Sequence, residues 1–272
     1  MDMVGVHFES LKDGTSINQR KRAYFALERA MHRHGVKITY YSMSPRDQKR
    51  GHYKKYGSNW HMKQLEKEFE GIDSLGFCAN PEKSNAPAYD WTASVDFSWT
   101  SRTRLTLLLP KENCDLNGSE YRETIKEFSN LAEWDYGWCT QGDRNAGISP
   151  YTSGDYDDGN LSKEENELID LWYVSSYSET EKRLTHLRDI FQINFVTESH
   201  LEFPIFRKTL REFIRKEKSS TLVPLTDNMW TWTIDTKSIP SVREKLRSSG
   251  MLLSRPATRP KPPLGLLKRL IS

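Results

Sequence analysis

Hydrophobic and polar positions alternate from the first residues. Val4, Val6 and Phe8 share one side of a run over 3–8, which predicts an opening strand. The period then lengthens: Ile17, Tyr24, Leu27, Ala30 and Met31 recur at helical spacing, with Ser16 placed to cap the start and Gly35 the end. VKITYYS over 36–42 reads as a strand completing a β-α-β unit, and a helix is expected over about 59–70, with Met62, Leu65 and Phe69 on one face. From Thr92 to Trp99 the alternation is strict. TRLTLLL over 103–109 can pair with it as an antiparallel hairpin ended by Pro110. A helix over about 119–133 buries Tyr121, Ile125, Phe128 and Leu131, and 136–140 is a candidate strand.

The same order of hairpin, helix and strand returns later. Leu222–Leu225 and MWTWTI over 229–234 flank a turn at Thr226-Asp227-Asn228. Ser238 and Pro240 open a helix through Val242 and Leu246, Gly250 ends it, and 251–253 closes as a strand. These patterns predict an α+β fold of two related halves, antiparallel hairpins with packed helices. The expected division is 1–140, a Gly-rich acidic loop or linker at 141–163, a second half at 164–253, and a basic, Pro-rich tail at 254–272.

Composition narrows the class. Hydrophobic residues make up 36% and mean hydropathy is -0.74, which is polar. Eight Trp, twelve Tyr and eleven Phe nevertheless supply the large buried areas a core needs. No run approaches a membrane-spanning length, and residues 1–10 lack the basic-then-apolar order of a signal peptide. Three scattered cysteines, Cys78, Cys114 and Cys139, fit a reducing compartment. The expectation is a cytoplasmic protein with no membrane contact.

Charge is unevenly spread. Five of the 40 basic residues fall in the tail, which has no acids, so the remainder is close to neutral. The stretch 112–170 is strongly acidic, whereas 46–63 is basic, with Arg46, Lys49, Arg50, Lys54, Lys55 and Lys63 against Asp47. Such separation can steer a partner of opposite sign, or merely solvate a surface.

Motifs for chemistry are sparse. Asp155, Asp157 and Asp158 suggest a calcium loop, but counting from Asp155 puts Asn166 where the bidentate carboxylate belongs, so an acidic surface loop is the default. His32 and His34 sit where a helix dipole would favour a cation, and no CxxC, HExxH or GxSxG occurs. The basic segment 46–63, with Tyr53, Tyr56 and Trp60, offers cations interleaved with rings. It carries the alternative of a nucleic-acid-binding accessory protein, which the acidic middle of the chain opposes. Trp134, Tyr136 and Trp138 precede the acidic loop. They are either core rings or anchors of a groove with a negative rim formed by Asp155, Asp157, Asp158, Glu164 and Glu165.

The order of these elements, DYGW at 135–138 beside a Gly/Asp-rich loop, LRDIF at 187–191, NFV at 194–196, LVPL at 222–225, WTW at 230–232 and GMLL at 250–253 resemble the bacterial immunity protein 52 family. The resemblance implies a cytoplasmic immunity protein that binds a cognate toxin of the restriction-endonuclease-like class, delivered by type VI or related secretion, and blocks it. It implies no catalytic residues, metal or cofactor. Together the residues and the resemblance lead us to expect a binding protein whose partner is a nuclease toxin, with nucleic acid disfavoured as a ligand.

Overall fold

A computed structural model describes residues 2–11, 16–45, 54–65, 69–79, 93–96, 103–143, 163, 166–167, 170–172 and 180–253. The fold is α+β. Its strands are β1 (Asp2–Ser10), β2 (Tyr40–Pro45), β3 (Lys54–Lys55), β4 (Ile72–Cys78), β5 (Ala93–Asp96), β6 (Thr103–Pro110), β7 (Tyr136–Asp143), β8 (Ile193–Thr197), β9 (Pro204–Ile205), β10 (Lys208–Thr209), β11 (Ser220–Thr226) and β12 (Met229–Ile234). Helices named among the described residues are α1 (Ile17–Arg33), α2 (Asn59–Leu65), α3 (Ser119–Ser129), α4 (Glu198–Leu201), α5 (Leu210–Lys216) and α6 (Ile239–Ser248), and 163, 166–167 and 170–172 are also helical.

Ten strands form one sheet in the order β11-β12-β8-β7-β1-β6-β5-β4-β2-β3, every neighbouring pair antiparallel; β9 and β10 make a separate hairpin. The β7–β8 ladder joins strands from the earlier and later parts of the chain. The expected β-α-β unit does not form, because three strands separate β1 from β2. The second strand also begins four residues later than its apolar run, at Tyr40, since Val36 and Ile38 are buried before the ladder starts.

Period-two alternation sorts side chains onto two faces. On one, Val4, Val6 and Phe8 of β1 lie beside Leu105, Leu107 and Leu109 of β6, under Tyr24, Leu27 and Met31 of α1 and Ile125 and Phe128 of α3. The Phe8 and Phe195 rings stack here at 4.6 Å. The opposite face of β7, β8 and β12 carries Tyr136, Trp138, Val196, Trp232 and Ile234, covered by Leu201, Leu210, Ile214, Val242 and Leu246 from α4, α5 and α6.

Local signals act where they were read. Ser16 caps α1 in a reciprocal box with Gln19, and Gly35 and Gly250 follow their helices at φ 66° and 79°. Two expectations change. Helix α2 is described over Asn59–Leu65, with Met62 54% exposed, and Phe69 adopts φ 61° in a turn instead of a helical conformation. The closing strand reduces to one parallel bridge between Leu252 and Leu187.

Candidate partner-binding surface

Trp134, Tyr136 and Trp138 lie in the core, at 6%, 0% and 0% exposure. Trp134 Nε1 donates to the Phe128 carbonyl at 2.7 Å, and Trp138 stacks on Phe191 at 5.6 Å and on His7 at 4.4 Å. Period two puts Tyr136 and Trp138 on one face of β7, and the later segments close over that face. In this position the rings have no surface to offer as anchors; of the two readings the sequence left open, they take the core one. Asp155, Asp157, Asp158, Glu164 and Glu165 lie outside the described residues.

Around Trp138 the structure gathers charged groups the sequence reading did not single out. Glu9 Oε1 lies 3.2 Å from Arg183 Nη1, and Glu9 Oε2 accepts from Trp172 Nε1 at 3.2 Å. Arg183 also donates to the Trp172 carbonyl at 2.7 Å and stacks over that indole. Arg188, fully buried, lies over Trp138, while Asp189 receives a two-pronged bond from Arg243 at 2.7 and 2.9 Å. Burial pushes the pKa of His7 down more than neighbouring Glu9 raises it, so the imidazole stays neutral. With Glu9, Arg183 and Arg188 each under 5% exposed, this network clamps distant segments together and is closed to a substrate.

His34 does not act as a dipole-bound cation. It is buried against Asn113 O at 2.9 Å and Thr124 Oγ1 at 3.1 Å, and burial lowers its pKa. In the basic segment, Lys54 and Lys55 form the short edge strand β3, while Lys49, Arg50 and Tyr53 lie outside the described residues. Tyr56, read as a stacking ring, instead hydrogen-bonds Glu28 and packs on His61 at 4.8 Å. The Gly57 N–H donates to His61 Nδ1, leaving Nε2 to donate to Tyr24 Oη at 2.6 Å, and Tyr24 in turn reaches Glu28. This chain of bonds is a satisfied core network. Among the described residues no group of three His, Cys, Asp or Glu side chains is placed to hold a metal, and no helix is long and apolar enough to cross a membrane.

An open concavity lies at the other end of the sheet. Arg211, Ile214 and Arg215 of α5 face Ser220, Leu222 and Pro224 of β11 and Trp230 of β12 across a groove of about 260 Å³. Thr209 caps α5 and shares a capping box with Glu212, which fixes the helix against β11. Arg211 is positioned twice over: it pairs with Glu198 and Glu202, and its guanidinium lies 5.1 Å from the Trp230 ring centroid. A groove this small suits one or two side chains of a partner better than a drug-sized ligand. An indole, an arginine and a rim of mixed charge are residue types in which interfaces concentrate binding energy. No sequence signal marked it, because α5 and β11 meet only after folding.

No protein-family model matches the chain, and no curated protein does. A solved structure does: Pseudomonas aeruginosa T6SS protein PA0821 is similar over 93% of this chain and 77% of its own, with 13% sequence identity and a TM-score of 0.56. At that identity the likeness shows a shared fold.

Proposed function

We propose that this chain is an immunity protein that binds a cognate nuclease toxin in the cytoplasm and occludes its active or DNA-binding surface. The observation that carries the reading is the fold likeness to a T6SS protein along nearly the whole chain. The resemblance to the immunity protein 52 family points the same way, and the α5–β11 groove supplies a surface of suitable chemistry. The acidic stretch 112–170 complements a nuclease surface built to hold phosphates, and complementary charge speeds association and selects the partner.

Growth of a bacterial host tests this. The candidate cognate toxin domain is expressed alone and together with it. Protection by this chain, and none by an unrelated protein of similar charge, supports the reading; equal killing with the chain present and folded overturns it.

A further inference from the structure

Two phenylalanines hold left-handed backbone, Phe69 at φ 61° and Phe206 at φ 54°. Bulky side chains rarely adopt that region, and the strain persists only where something offsets it. For Phe69 the offset is burial: it is 2% exposed, its ring 5.3 Å from that of Tyr24. Phe206 has no such offset, being 69% exposed, more than any other large hydrophobic residue described.

Phe206 and Arg207 form the two-residue loop of the β9–β10 hairpin, in which Lys208 pairs with Ile205. Positive φ at only the first loop residue is the type II′ pattern, where glycine is the ordinary occupant. Strain and exposure therefore both disfavour phenylalanine within the isolated fold. The base of the hairpin is firmly held: Ile205 and Leu210 are buried, and Leu210 N donates to Phe203 O at 3.0 Å. A ring presented from a fixed base loses little freedom on docking.

The surrounding charge indicates what the ring meets. Arg211 is held by Glu198 and Glu202, and Lys245 by Glu217. Arg207, Lys208 and Lys216 are exposed and have no ion pair among the described residues, and Lys208 sits against Lys216, which lowers its pKa. Exposed Glu202 and Glu212 stand nearby, which disfavours a polyanion such as nucleic acid. The sheet edges are poor alternatives for docking. β3 is two lysines long, and β11 carries Pro224, which has no N–H to offer an added strand.

We propose that the β9–β10 hairpin inserts Phe206 into an apolar pocket on the protein partner, whose carboxylate rim meets Arg207, Lys208 and Lys216. This rests on the reading that the chain acts by binding a toxin. Calorimetric titration of the full chain against the purified domain of its candidate cognate toxin tests the proposal, with the Phe206→Gly, Phe206→Ala, Lys208→Glu and control Lys55→Glu variants.

Both Phe206 substitutions should raise Kd by about tenfold or more, and Lys208→Glu should weaken binding further at low salt than at high. Lys55→Glu should bind as wild type. Phe206→Gly should keep or raise Tm, by about 2 °C, because it relieves the strained turn. Wild-type affinity in both Phe206 variants would overturn the hairpin while leaving the immunity reading standing. Binding of a labelled oligonucleotide that Phe206→Gly abolishes would reassign the hairpin to nucleic acid. A wild-type chain that binds no toxin domain removes the immunity reading and the hairpin's role with it.

Discussion

Glu9 and Arg183, 174 positions apart, meet at 3.2 Å with both side chains at most 5% exposed. The pair ties the central strand β1 to a 3₁₀ turn at Thr180–Leu184, across the buried indole of Trp172. Removing one partner takes a counter-ion from the other buried charge, at a cost of about 3–5 kcal/mol. Arg183→Met and Glu9→Gln should each lower the urea midpoint strongly. The double variant should lose less than the sum, since the two charges are then removed together. Additive losses would mean the two groups are not coupled.

His200 gives stability a pH dependence. It is fully buried, and burial pushes its pKa down to about 4. The unfolded imidazole titrates near 6.5, so between these values the unfolded chain binds the extra proton. Stability is therefore whole above about pH 6.5, falls as the pH drops, and has lost about 3 kcal/mol by pH 4. His7, His34 and His61, whose pKa values burial also lowers, add to the same slope. His200 occupies the capping-box position opposite Thr197, which glutamine can fill without titrating. Denaturation of His200→Gln at pH 7 and pH 5 should show a smaller loss than wild type.

Gly137 is required by closeness alone. A Cβ there would lie 2.6 Å from the His7 carbonyl oxygen and 3.0 Å from ring atoms of Phe8 and Phe195. Backbone and two packed rings cannot all give way, so Gly137→Ala should destabilise by about 1–3 kcal/mol, measured as a fall in the denaturant midpoint with an unchanged m-value.

Arg215 is exposed at the groove rim. Arg215→Glu should leave stability within about 0.5 kcal/mol of wild type, as surface substitutions do. If the groove contacts the toxin, the same variant should weaken binding about tenfold. Unchanged affinity would move the interface elsewhere.

Asp157 and Asp158, part of the negative rim that the sequence suggests, lie outside the described residues. Reversal of both to lysine should slow association with a nuclease partner and flatten its salt dependence. An unchanged association rate would remove the acidic loop from the interface.

How much of this was legible in the chain depends on how local each signal is. The alternation in MWTWTI and TRLTLLL, the Ser16 cap and the glycines at 35 and 250 act within a few residues, and the structure repeats them. Strand β4, IDSLGFC, gives no such local signal: its Ser74 and Gly76 are not apolar, and its place is set by pairing with β2 and β5. The burial of Tyr136 and Trp138 is likewise beyond local reach, because residues more than 30 positions later supply their cover, while Trp134 packs on Phe8 of the distant strand β1. Phe206 gave no signal, since the peculiarity of that residue is its backbone angle and exposure, not its neighbours in sequence.

The most direct measurement is the nuclease activity of the purified toxin domain on plasmid DNA while this chain is added. The immunity reading predicts that cleavage falls to background at a fixed molar ratio and returns when the complex is dissociated. Undiminished cleavage in the presence of excess folded chain would contradict it.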